Sequence, residues 1–201
     1  LGLAYAEAHP ERCTGLILRG IFLSRSSEVT WTFGGGAQRV FPDGWAEFLS
    51  LLGEDERADV MAAYHRRLTS DDLAVRREAA LAWNRWEELA SHLVADLAPV
   101  AEEDVPAEVA LARIEAHYFV NGAFLSSDDQ LLRDVEKIRH LPAVIVQGRY
   151  DMVCPAVSAW DLHHAWPGSR LVLVPAAGHS ADEPGIVSAL VDATEAWKTR
   201  G

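Results

Sequence analysis

The chain has 201 residues, 49% of them hydrophobic, with 18 basic side chains against 30 acidic ones and a net charge of -12. That length and apolar content suit one sizeable globular domain, or part of a larger one, and exclude a disordered chain. The acidic balance argues against a nucleic-acid partner, whose phosphates demand a basic face, and favours a cationic or neutral small ligand.

The chain opens on LGLAYAEAHP, which reads as a packed helix stopped by Pro10. It begins without Met and directly in helical material, so its start looks cut. Leu16, Ile17 and Leu18 form a short apolar run bounded by glycines, the pattern of a strand covered on both faces. Helix followed by buried strand is half of an α/β repeat.

From 24 to 140 the texture changes to long amphipathic segments such as DERADVMAAYHRRL and SDDLAVRREAALAWNRWEELASHL. Ser70, Asp71 or Asp72 is available to cap the second of these. The acidic tract 96–108, with two prolines, reads as a loop between helices. The GGG at 34–36 lacks the spacing of a GxGxxG phosphate loop and reads as a flexible turn.

After residue 141 strands and helices alternate: PAVIVQG, PAVSAWDLHHAWP, RLVLVPAAG and EPGIVSALVDATEAWKT. Alternation implies a parallel sheet with helices on both faces. The organisation predicted is thus α/β core over 1–23 and 141–201, with a helical cap over 24–140 inserted between two sheet strands.

Two strands end in the same way. VIVQG is followed by Asp151, and VLVPAAG by His179, 28 residues later with one helix between. Open α/β sheets keep their chemistry beyond the carboxyl ends of the strands. A turn-forming Asp and an ordinary loop His are the bland alternatives. Together the two residues match an Asp that orients a His general base, in a triad whose chain order is Ser, Asp, His. The eight histidines show no HExxH spacing, so no metal or other cofactor is expected.

At this point the sequence resembles the proline iminopeptidases (prolyl aminopeptidases) of the α/β-hydrolase superfamily. The resemblance is carried by LAYAEAHPERCTGLILRGIF, FPDGW at 41–45, AYHRRLTSDD at 63–72, AWNRWEE at 82–88, ARIEAHYFVNGAF at 112–124, QLLRDVEKIRHLPAVIVQGRYDMVCP at 130–155 and PAAGHS at 175–180. It implies an α/β-hydrolase fold and an enzyme that releases proline from peptides bearing it at the N-terminus. Asp151 and His179 would be two triad members; Glu87 and Glu115 would grip the substrate's free amine. Phe22 would line the pocket of the proline ring, with Arg19 close by. The chemistry is reasonable, because an imino cation about 4 Å from a carboxylate gains roughly 4 kcal/mol of gross attraction at an effective dielectric near 20.

Two departures stand out. WTFGGGAQ at 31–38 replaces a family segment that carries a pocket tyrosine, which puts Thr32 or Phe33 at that position. No serine lies in a GxSxG elbow, so the nucleophile is expected upstream of Leu1, and the strand at 16–18 is expected to need another neighbour. Another hydrolase such as an esterase would share Asp151 and His179 without needing the glutamates. A non-catalytic binding fragment is the other reading. Two distant cysteines, Cys13 and Cys154, suggest no disulfide or thiolate zinc site and fit a reducing cytoplasm. With no stretch of about 18 apolar residues, no membrane partner is expected.

Overall fold

A computed structural model describes residues 1–198. In chain order its main elements are α1 (Gly2–Ala8), β1 (Leu16–Arg19), α2 (Ser26–Thr30), α3 (Pro42–Leu49), α4 (Val60–Leu68), α5 (Leu73–Ser91), α6 (Val105–Val120), α7 (Gln130–Asp134), β2 (Ala143–Gly148), α8 (Ala156–Ala165), β3 (Ser169–Val174) and α9 (Pro184–Lys198). The expected last helix reached Thr199, which lies outside the described residues. They divide into two units. One comprises Leu1–Glu28, Ser91–Leu93 and the chain from Ser126 onward; the other comprises Val29–Ala90 and Val94–Leu125. Residues 24–28, 91–93 and 126–140, read from sequence as helical insertion, therefore group with the sheet.

The sheet unit is built on three parallel strands in the order β1-β2-β3, with Leu16 opposite Ala143 and Ala143 opposite Ser169. Every residue of β2 is buried, as a central strand covered on both faces requires. Alternation along it sends Val144 and Val146 into a cluster with Val174, Ile186 and Ala193, so α9 covers that face. Ile145 and Gln147 point to the other face, and both are fully buried. Among the described residues β1 pairs with β2 alone.

The second unit is helical and its core is aromatic. Phe48 stacks on Tyr64 with ring centroids 4.1 Å apart, and Phe33 on Trp83 at 4.5 Å. The polar ends of these rings are satisfied: Tyr64 Oη donates to the Phe48 carbonyl at 2.7 Å, and Trp86 Nε1 to that of Thr32 at 3.1 Å. Burial pushes the Tyr64 phenol upward. Asp72 caps α5 by accepting from Ala74 N at 2.8 Å. Helix α6 starts at Val105, inside the tract expected as loop, because Pro106 sits in its first turn, where a missing N–H is harmless.

Candidate active site

Strand β2 ends at Gly148, and the chain there turns sharply against the loop after β3. A Cβ on Gly148 would lie 2.0 Å from the Gly178 carbonyl oxygen, so only glycine permits the approach. Arg149 N donates to Val174 O at 2.9 Å and Tyr150 N to Ala177 O at 3.0 Å, which laces the two loops together. Asp151 follows, 3% exposed. Its Oδ1 accepts from Val153 N at 3.1 Å and Cys154 N at 2.7 Å, closing an Asx turn that launches α8. Its Oδ2 lies 2.9 Å from His179 Nδ1 and accepts from Gln147 Nε2 at 2.8 Å. Asp151 is thus both the turn-forming residue and the partner of His179.

His179 is held through its main chain. His179 N and Ser180 N both donate to Ser91 O, at 2.7 and 2.8 Å. Glu183, one residue before α9, accepts from Gly178 N at 3.2 Å and Leu93 N at 3.0 Å. The Arg19 guanidinium donates to the His179 carbonyl. Gly20 has a φ of +54°, and a Cβ there would lie 2.9 Å from His179 Cε1, so the left-handed turn after β1 leaves room for the imidazole. With Nδ1–H pointed at a buried carboxylate, the neutral ring carries its lone pair on Nε2. That tautomer accepts a proton from a hydroxyl.

Of the residues expected to serve substrate, Arg19 and Phe22 lie at the end of β1 in this same unit; Phe22 is half-buried. Glu87 and Glu115 lie in the helical unit, on α5 and α6. Glu87 hydrogen-bonds Glu115, and its carboxyl is pushed well above the ordinary carboxylate range, first by desolvation, then by the Glu115 charge and that bond. The Glu87 side chain as a whole is half-buried, its carboxyl end enclosed. Glu115 also accepts from Trp83 Nε1 at 3.0 Å. Two carboxyl groups hydrogen-bond to each other only when one of them is protonated, which agrees with the upward direction at Glu87. Thr32 and Phe33 are buried in the aromatic core, with Phe33 stacked on Trp83.

Ligand atoms of Asp151, Cys154 and His179 all lie within 4.8 Å of one another. A metal ion there would have to displace the Asp151–His179 hydrogen bond, so the trio fits proton transfer better than coordination. Sequence reading missed three supports of this site. Gln147 was visible as the lone polar residue of a buried strand, and Glu183 as an acid preceding Pro184 at a helix start. Ser91 acts through its carbonyl oxygen, for which side-chain identity gives no signal.

A protein-family profile described as alpha/beta hydrolase fold matches residues 1–183. A probable proline iminopeptidase of Leptolyngbya boryana is 52% identical over 206 aligned residues, covering 100% of this chain and 64% of that protein. The proline iminopeptidase of Arabidopsis thaliana is 52% identical over 98% of this chain and 53% of its own length. That of Neisseria gonorrhoeae is 46% identical over 97% of this chain and 62% of its own. The chain thus spans between about half and two thirds of the relatives it matches. Parallel strands that end in a hydrogen-bonded Asp and His, together with the match over residues 1–183, establish that the chain belongs to the alpha/beta hydrolase fold family.

Proposed function

We propose that this chain carries the acid–base pair and the amine-binding carboxylates of a serine peptidase that releases N-terminal proline from peptides. The observation that carries the reading is the His179 Nδ1 to Asp151 Oδ2 bond of 2.9 Å at the carboxyl edge of parallel strands. Similarity to proteins named proline iminopeptidase supports the choice of substrate. A serine hydroxyl, supplied from outside this sequence, attacks the prolyl carbonyl while His179 Nε2 takes its proton. His179 returns that proton to the leaving amine as the C–N bond breaks, and water then hydrolyses the prolyl ester by the same route. Asp151 holds the ring and stabilises the imidazolium.

Glu87 and Glu115 bind the imino cation in this reading, exchanging their shared proton for it, and Phe22 lines the ring pocket. Arg19 serves the site through the His179 carbonyl. Cys13 and Cys154 are held as thiols, which suits a reducing, cytoplasmic setting. The test joins this chain to an upstream segment that supplies a GxSxG serine and compares proline p-nitroanilide with p-nitrophenyl acetate. Preferred hydrolysis of the prolyl anilide is expected. Turnover of the ester alone would assign the site to another hydrolase.

A further inference from the structure

Gln147 is a fully buried amide at the end of a strand otherwise made of Ala, Val, Ile and Gly. Burying an amide is unfavourable unless its hydrogen bonds are made. Gln147 makes three: Nε2 donates to Asp151 Oδ2 at 2.8 Å and to the Cys154 carbonyl at 2.9 Å, and Oε1 accepts from Ile21 N at 3.0 Å. The partners fix which way the amide points. A carboxylate and a carbonyl need donors, the Ile21 N–H needs an acceptor, and a flipped amide would break all three bonds.

The division of labour around Asp151 gives this amide a purpose beyond satisfying the core. Both backbone donors of the Asx turn act on Oδ1. They fix one oxygen and leave the carboxylate a pivot about it. Oδ2 is the atom that meets His179 Nδ1, and its other donor is Gln147. On the opposite side of the amide, Ile21 lies between Gly20, which underlies the imidazole, and Phe22. Arg19, two residues before Ile21, holds the His179 carbonyl.

We infer that Gln147 is a positioning residue, whose amide sets the Asp151 carboxylate for His179 and ties that setting to the chain leaving β1. The inference rests on Asp151 and His179 being the acid–base pair. It makes the end of β1, the Asp151 turn and the His179 loop one hydrogen-bonded assembly centred on a single side chain.

Proton NMR of the 201-residue chain tests it without turnover, by the low-field resonance of the His179 Nδ1–H. In the wild type a narrow low-field resonance is expected throughout the neutral pH range, and Asp151→Asn is expected to remove it. Gln147→Met should broaden that resonance into the baseline as the bond loosens and exchanges with water. Gln147→Glu should keep it at acidic pH, where the introduced carboxyl is neutral and donates, and lose it as that carboxyl ionises beside Asp151. This pH profile also decides the matter should Gln147→Met fail to fold. A narrow resonance unchanged in both Gln147 variants, yet abolished by Asp151→Asn, would overturn the inference and leave the acid–base pair standing. No low-field resonance in the wild type, or one that survives Asp151→Asn, would overturn the reading of the pair itself and the inference with it.

Discussion

The two units solve the burial of carboxyl groups in opposite ways. Asp151 sits where a strand has ended, among loop N–H groups not consumed by secondary structure, and four donors reach its two oxygens. Glu87 and Glu115 project from the interiors of α5 and α6, whose backbone N–H groups are already bonded within each helix. The Trp83 indole reaches Glu115, and desolvation beside the Glu115 charge holds the Glu87 carboxyl well above the ordinary carboxylate range. A strand end therefore stabilises the ionised carboxylate with loop donors, and the helix interiors favour the protonated carboxyl. Glu7 on α1 repeats the second case inside the sheet unit. Its Oε1 is buried without a hydrogen bond, and desolvation, then Asp134, raise it to about 7.

The largest effect is expected at the strand end. In a protein that joins this chain to a GxSxG serine, Asp151→Asn should lower kcat for proline p-nitroanilide by about 10⁴-fold, since the imidazole would lose the acceptor that fixes its tautomer. A loss under tenfold would contradict a tautomer-fixing role for Asp151. Next, Glu87→Gln and Glu115→Gln should each lower kcat/KM for the same substrate, by about 2–5 kcal/mol in transition-state binding. Steady-state kinetics with both variants near wild type would remove the cation from the helical site.

The buried, raised carboxyls should also shape stability against pH. A carboxyl raised in the folded state binds more protons there than in the unfolded chain. Its stabilising contribution is complete below the ordinary carboxylate range and is lost as pH rises through the folded value. For Glu7 that window runs from about 4.5 to about 7, and a shift of that size corresponds to about 3 kcal/mol. Glu7→Gln should therefore raise the urea midpoint at pH 8 and leave it nearly unchanged at pH 4. The smallest effect is expected for Trp83→Phe, which deletes the indole donor to Glu115 and keeps a ring against Phe33. Thermal unfolding should register about 1 kcal/mol of destabilisation.

The sheet half of this molecule was legible because its signals are periodic and local. Apolar runs ending in Gly gave β2 and β3, and the polar residues just beyond them were Asp151 and His179. The donors that complete the site were harder to read. Gln147 looks like one polar interruption of a strand until Ile21 is known to lie opposite, and that pairing spans 126 positions. Arg19 was read as a neighbour of the substrate pocket from its place beside Phe22, and its guanidinium meets the His179 carbonyl 160 positions away. The stretch 126–140 looked like more insertion because its short helical turns have the same amphipathic texture as α4 and α5. Its grouping with the sheet depends on packing against α1, which periodicity does not encode.

The contrast between the two carboxyl environments is tested most directly by carbon-13 NMR of the glutamate carboxyl groups in the 201-residue chain, with and without L-prolinamide. The expected result is a Glu87 carboxyl carbon at the protonated position at neutral pH, moving to the ionised position as the cationic prolinamide replaces the proton shared with Glu115. A Glu87 carboxyl that is already ionised at neutral pH and does not respond to prolinamide would contradict it.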